Sequence, residues 1–233
     1  MPCTLSAALA DAAVCRGSFH AVLGGEAGEA VFADFSAALQ KAQAEGRILT
    51  ASLFRYENHL FFYAEGLNRP FTPQGLCPAL DAALLPWPPA LGEAAPRPWA
   101  AMQPYFYHDV PTTAADWQQG RCPQRRRGRI ALLPPDSWCS YMEHHLRIVT
   151  EGLVEGDRWH LICVQEGVLF SYLEEPRTNV NIKHRPGAHS PELDAWIAAD
   201  PESHFARFTP EQKAHPDSGH NFVFLPRIAG TED

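Results

Sequence analysis

One ordered pattern of residues occurs twice in this chain, about half a chain apart, and it limits the fold more than any other feature. Residues 30–66 carry Phe32 and Phe35, a helical run that stops at Gly46, the apolar stretch Ile48 to Phe54, a short break, and then Leu60-Phe61-Phe62-Tyr63-Ala64-Glu65. Residues 136–174 carry Trp138 and Tyr141, a helical run ending near Gly156, the stretch Trp159 to Val164, a short break, and then Leu169-Phe170-Ser171-Tyr172-Leu173-Glu174. The shared order, aromatic spacing and hairpin ending describe two copies of one supersecondary unit.

Each copy reads as strand, helix, hairpin, helix, strand. In the first, Phe19 to Leu23 alternates as a strand, residues 27–45 favour helix, Ile48 to Tyr56 and His59 to Glu65 form a hairpin about Glu57-Asn58, Leu76 to Leu85 is a shorter helix, and Tyr105 to Tyr107 is a last strand. In the second, Arg129 to Leu133 is a strand, Pro134 to Ser137 opens a helix, Trp159 to Val164 and Val168 to Glu174 form a hairpin, Ser190-Pro191-Glu192 opens another helix, and Phe222 to Leu225 closes the set. The expected fold class is α+β: a ferredoxin-like unit over 18–112, a polar linker over 113–128, and a second ferredoxin-like unit over 129–227. Sheets covered by helices on one face need cover on the other. Packing the two together gives an internal pseudo-dimer of the dimeric α/β-barrel type.

Composition excludes several classes. The net charge of −8 disfavours general nucleic-acid binding, and the single basic run, Arg125 to Arg127 with Arg129, reads as a solvated turn. Cys3, Cys15, Cys77, Cys122, Cys139 and Cys163 show no CxxC pair and read as free thiols of a cytoplasmic protein. The first 14 residues have no Lys or Arg and are interrupted by Asp11, so they do not form a signal peptide, and no apolar run is long enough to span a membrane. The expectation is a monomeric pseudo-dimer or a weak homo-oligomer with a small-molecule partner and no nucleic acid or membrane.

Superposing the two helices by Phe32 with Trp138 and Phe35 with Tyr141 places Leu39 of the first opposite His145 of the second. His145 lies one turn beyond Tyr141 on the same face, a polar substitution at a core position. Buried polar groups need partners, because an unpaired one costs roughly 1–3 kcal/mol. A ligand in a cleft meets that need, and so does a backbone carbonyl. His184, His189, His204, His215 and His220 are scattered without HxH or HxxxH spacing, so no metal site is expected.

The second copy resembles the L-rhamnose mutarotase family. The likeness rests on the Tyr-x-x-x-His helix motif at Tyr141 and His145, on Leu169 to Glu174 as the second hairpin strand, and on Pro216-Asp217-Ser218 leading to Phe222-Val223-Phe224-Leu225-Pro226. The resemblance implies interconversion of the anomers of a small aldose sugar, with His145 as proton donor and no cofactor. It assigns sugar contacts to Tyr141, to His160 with Trp159 beside it, and to Phe205. The chain departs from the family pattern in lacking the Trp-Pro-Glu turn and the tandem tryptophans, whose places fall at Phe205 and Ala206. Trp159, Trp196 and Phe208 are candidates to rebuild the stacking platform. Two alternatives stand beside this reading: a non-catalytic sugar-binding or scaffold protein of the same fold, and a haem-binding or oxygenase-type barrel with His145 as axial ligand or without cofactor.

Overall fold

A computed structural model describes residues 7–179, 182–212 and 221–231. His215, His220 and Pro216 to Ser218 lie outside the described residues. In chain order the elements are β1 (Val14–Val22), α1 (Glu29–Ala44), β2 (Ile48–Tyr56), β3 (His59–Leu67), α2 (Pro78–Ala83), β4 (Ala100–Tyr107) and α3 (Ala114–Gln118). There follow β5 (Arg125–Leu132), α4 (Pro135–Glu151), β6 (Val154–Glu155), β7 (Leu161–Gln165), β8 (Val168–Glu175), β9 (Lys183–His184), α5 (Pro191–Ala198), β10 (Val223–Leu225) and β11 (Arg227–Gly230). The class is α+β, with antiparallel sheets.

The chain divides into two units, one holding the described parts of Met1–Met102, Pro111–Pro123 and Pro226–Asp233, the other Gln103–Val110 and the described parts of Gln124–Leu225. In the first unit the strand order is β4-β1-β3-β2-β11, β4 contributing residues 100–102. In the second it is β10-β5-β8-β7-β4, β4 contributing residues 103–107. Two features of the first unit fall where a linker was expected or beyond the last expected strand. Residues 114–118 form α3, whose Trp117 is fully buried, and β11 pairs with β2. The basic run is not a solvated turn. Residues 125–132 are strand β5, and Arg127 is buried with its guanidinium 3.7 Å from the Phe224 ring centre and 2.9 Å from Glu175 Oε1. Strand pairing with β8 fixes those arginines beside Glu174 and Glu175.

The helices explain themselves from spacing. Phe32, Phe35, Leu39 and Ala42 form the buried stripe of α1; Tyr141, His145 and Ile148 form that of α4. The stripes correspond position by position from Phe35 with Tyr141 to Ala42 with Ile148, but Trp138 is 42% exposed and does not share the burial of Phe32. α4 ends at Gly152, φ 68°, short of the expected Gly156, as α1 ends before Gly46, φ 69°. A residue without Cβ takes that left-handed conformation at little cost and reverses the chain.

The hairpin turns also correspond, Glu57 with Glu166, both at positive φ. Two residues from the end of each quoted motif, a buried tyrosine donates to a buried glutamate: Tyr63 Oη to Glu65 Oε1 at 2.6 Å and Tyr172 Oη to Glu174 Oε1 at 2.6 Å. Glu65 is met by both terminal nitrogens of Arg121, at 2.7 and 3.0 Å, and by Trp117 Nε1 at 3.0 Å. Burial raises its carboxyl pKa, but the Arg121 charge and hydrogen bonds outweigh this and leave it below the ordinary value.

Candidate functional site

In the first unit the helix stripe packs closely against the sheet, and a cavity of about 450 Å³ lies to one side, between Phe19, Trp99 and the loop over 72–97. Phe19 and Phe62 are paired across β1 and β3, Phe62 meets Phe35 and Trp99 at ring-centre distances of 5.8 and 6.1 Å, and Leu39 has no exposure. Counting from the hairpin turns and the strand registers, the same positions in the second unit are Arg129, Ser171, Tyr141 and His145. Phe62 has become a serine, and the other three apolar side chains have each become a cationic or titratable one. A cavity of about 520 Å³ stands there, within the size range of small-molecule sites.

Tyr141, His145, His160 and Phe205 line this cavity. Trp159 is buried but is not among the lining residues. It sits in the turn before β7, which leaves His160 on the cavity wall and Trp159 off it. Trp196 of α5 also lines the cavity, whereas Phe208 does not. Phe106, His108, Arg129, Asp157 and Arg177 line it as well and were not expected from the sequence. The signal for Arg129 was the repeat itself, which sets it against Phe19 of the first copy.

His145 is held by rings: Tyr141 at 4.2 Å, Phe106 at 4.6 Å edge-on, Trp196 at 4.8 Å and Tyr105 at 5.6 Å between ring centres. Its Nδ1 lies 2.8 Å from the backbone oxygen of Tyr141, which requires Nδ1 to carry the proton and donate. Burial lowers its pKa to about 4, so at neutral pH the ring is uncharged and Nε2 carries a lone pair. Burial likewise raises the Tyr141 phenol to about 12 and holds Tyr105 well above its ordinary value, leaving both as protonated donors. Asp157 is matched by Arg177 at 3.3 Å and by the Thr178 hydroxyl at 2.8 Å. Among the described residues no group of three or more His, Cys, Asp or Glu is placed to hold a metal ion, and no helix is long and apolar enough to cross a membrane.

No family model matches this chain, and no curated protein matches it. Three solved structures are similar across most of its length. A putative monooxygenase from Lactobacillus acidophilus is 6% identical with a TM-score of 0.40, covering 94% of this chain and 96% of that one. A putative monooxygenase from Fusobacterium nucleatum is 10% identical with a TM-score of 0.41, covering 94% of each. An anthrone oxidase-like protein is 8% identical with a TM-score of 0.38, covering 92% of each. At these scores the likeness carries no argument about activity.

The resemblance to L-rhamnose mutarotases, the isomerase activity and the role in carbohydrate metabolism are corrected. No mutarotase model matches, and the similar structures bear oxygenase and oxidase names. The site gives a physical reason as well. A proton donor at neutral pH must carry its proton, and His145 at about 4 has only a bound Nδ1 hydrogen, committed to Tyr141. The Tyr-x-x-x-His pattern that suggested the family is here a helix-face pair locked by its own backbone.

Proposed function

We propose that the second unit is the active copy of a duplicated ferredoxin-like unit, and an oxygenase-type enzyme that takes a proton from a flat aromatic substrate and passes the resulting anion to dioxygen. The order β-α-β-β-α-β in each copy, with the first strand between the third and the fourth, supports the ferredoxin-like reading. The observation that carries the activity is the neutral His145 ring, tautomer fixed by Tyr141, in a cavity walled by Phe106, Trp196 and Phe205.

A lone pair on Nε2 in such a place acts as a general base. An anion forming beside it draws the imidazole pKa back upward, since an opposite charge favours the protonated ring. The Tyr141 phenol, protonated across the neutral range, donates to the substrate oxygen on which charge collects. The aromatic walls hold a planar ring system by offset and edge contacts. For a methylene between two aryl rings the balance is CH2 plus O2 giving C=O plus H2O, with dioxygen taking all four electrons from that carbon.

Anthrone, named in one similar structure, is a suitable probe because its methylene has this character. Oxygen consumption with anthrone, in chelator and without added flavin or iron, should equal one O2 per anthrone and fall to the buffer rate in His145→Asn. Uptake no faster than buffer with the wild-type protein would end this reading. A stoichiometric Soret shift on adding haemin, abolished in His145→Ala, would replace it with an axial-ligand role for His145.

A further inference from the structure

Arg129 lines the cavity and has no part in proton abstraction. Its Nε is shut off from solvent and has no hydrogen-bond partner, and among the described residues no carboxylate pairs with its guanidinium. Phe222 covers one face of that guanidinium at 4.2 Å from the ring centre. Burial, and the nearby charge of Arg177, lower its pKa to about 10, which still leaves it cationic at neutral pH.

The other charges of the cavity have hydrogen-bond partners, and the exposed Glu202 acts on Arg129 only at longer range. Arg177 and Asp157 pair with each other, and Glu202 accepts from the side-chain amide of Asn221, which also bonds the Glu202 backbone oxygen at 3.2 Å. Arg129 is half-buried, and a cation on a cavity wall with no directly paired carboxylate gains from a ligand that brings an acceptor to its terminal nitrogens. In the first unit the same strand position holds Phe19, packed 6.3 Å from Phe62, so the fold does not need an arginine there. The first unit has a cavity of about 450 Å³ beside Phe19 as well, but only in the second unit does this strand position bring a charge to the cavity wall.

We infer that the ligand of this cavity is an aromatic acid, a planar ring system bearing a carboxylate that pairs with Arg129. Its rings lie among Phe205, Phe222 and Trp196, and the guanidinium fork offers the two parallel donors that a carboxylate accepts. The inference deepens the oxygenase reading and rests on it for the site, but it is read by binding and not by turnover.

The test compares anthraquinone-2-carboxylate with anthraquinone-2-carboxamide, which has the same rings and no charge, by quenching of tryptophan fluorescence and by calorimetry. The wild-type protein should bind the acid about tenfold more tightly or better, the size of one charged hydrogen-bond pair. Arg129→Gln should remove that preference while the amide binds as before, and Arg129→Lys should restore part of it. Equal binding of acid and amide to wild type, binding of neither, or a preference that persists in Arg129→Gln would each overturn the inference. The wild-type comparison needs no variant to fold. Oxygen uptake with neutral anthrone but no acid preference would sink this inference alone, and an Arg129-dependent preference without oxygen uptake would sink the oxygenase reading alone.

Discussion

The Nδ1 of His145 lies 2.8 Å from the carbonyl oxygen of Tyr141, one helical turn earlier, and this single bond decides what the histidine can do. It assigns the proton to Nδ1, orients the ring and leaves Nε2 as the reactive nitrogen. His145→Asn keeps an amide able to occupy part of that space but has no base. The rate of anthrone oxidation should fall by about 10²- to 10⁴-fold, the usual worth of a general base, with KM changed much less. Steady-state oxygen uptake measures both.

The matching position in the first unit gives the control. Leu39 has no exposure and sits among Phe35 and Phe62. Leu39→Asn should cost about 3 kcal/mol or more through lost packing and an unpaired amide. Thermal unfolding should show the lower Tm, while kcat of the protein that remains folded stays at the wild-type value.

His145 and His108 both titrate near 4 in the folded protein against an ordinary 6.5, burial being the main cause for each. Between those values the unfolded chain binds more protons than the folded one, so stability rises with pH through this window. It is fully present above about 6.5 and declines as pH falls towards 4, by up to roughly 3 kcal/mol for each group. Urea midpoints measured from pH 4 to 7 should show this slope, and His145→Asn should reduce it to the part that His108 carries. A midpoint independent of pH in both proteins would contradict the buried neutral rings.

Glu65 acts in the same sense, at lower pH. Its folded pKa lies below the ordinary 4.5, so its contribution is present above that value and is lost as pH falls through the folded pKa. Removing the carboxylate takes the Glu65 ion pair from Arg121, whose side chain is 2% exposed. Glu65→Ala should therefore destabilise by about 3–5 kcal/mol. Differential scanning calorimetry reads the loss, and an unchanged Tm would show that the network is not structural.

Gly156 packs directly against the imidazole of His108, and a Cβ there would overlap that ring. Because His108 lines the cavity, Gly156→Ala should displace it and raise KM for anthrone with a smaller effect on kcat. Gly152→Ala, where open space surrounds the site but φ is 68°, should lower Tm by the strain alone and leave KM unchanged.

The two helix stripes, the hairpins and the class α+β were legible because periodicity is a local property. Apolar residues at helical spacing made Phe35, Leu39, Tyr141 and His145 inward whatever else the chain did, and the doubled pattern set them against each other. The ends and partners were not local. Trp159 and His160 are adjacent in sequence, yet only the second lines the cavity, because the turn before β7 sets which way each faces. Arg129 looked like part of a basic turn until its pairing with Ser171 placed it on the face where the first copy carries Phe19. The sequence by itself determined which residues turn inward and that the pattern is doubled. Only the tertiary structure decided that His145 is a neutral acceptor and Arg129 a cation with no directly paired carboxylate, since protonation and pairing depend on desolvation and on neighbours brought together from distant strands and helices.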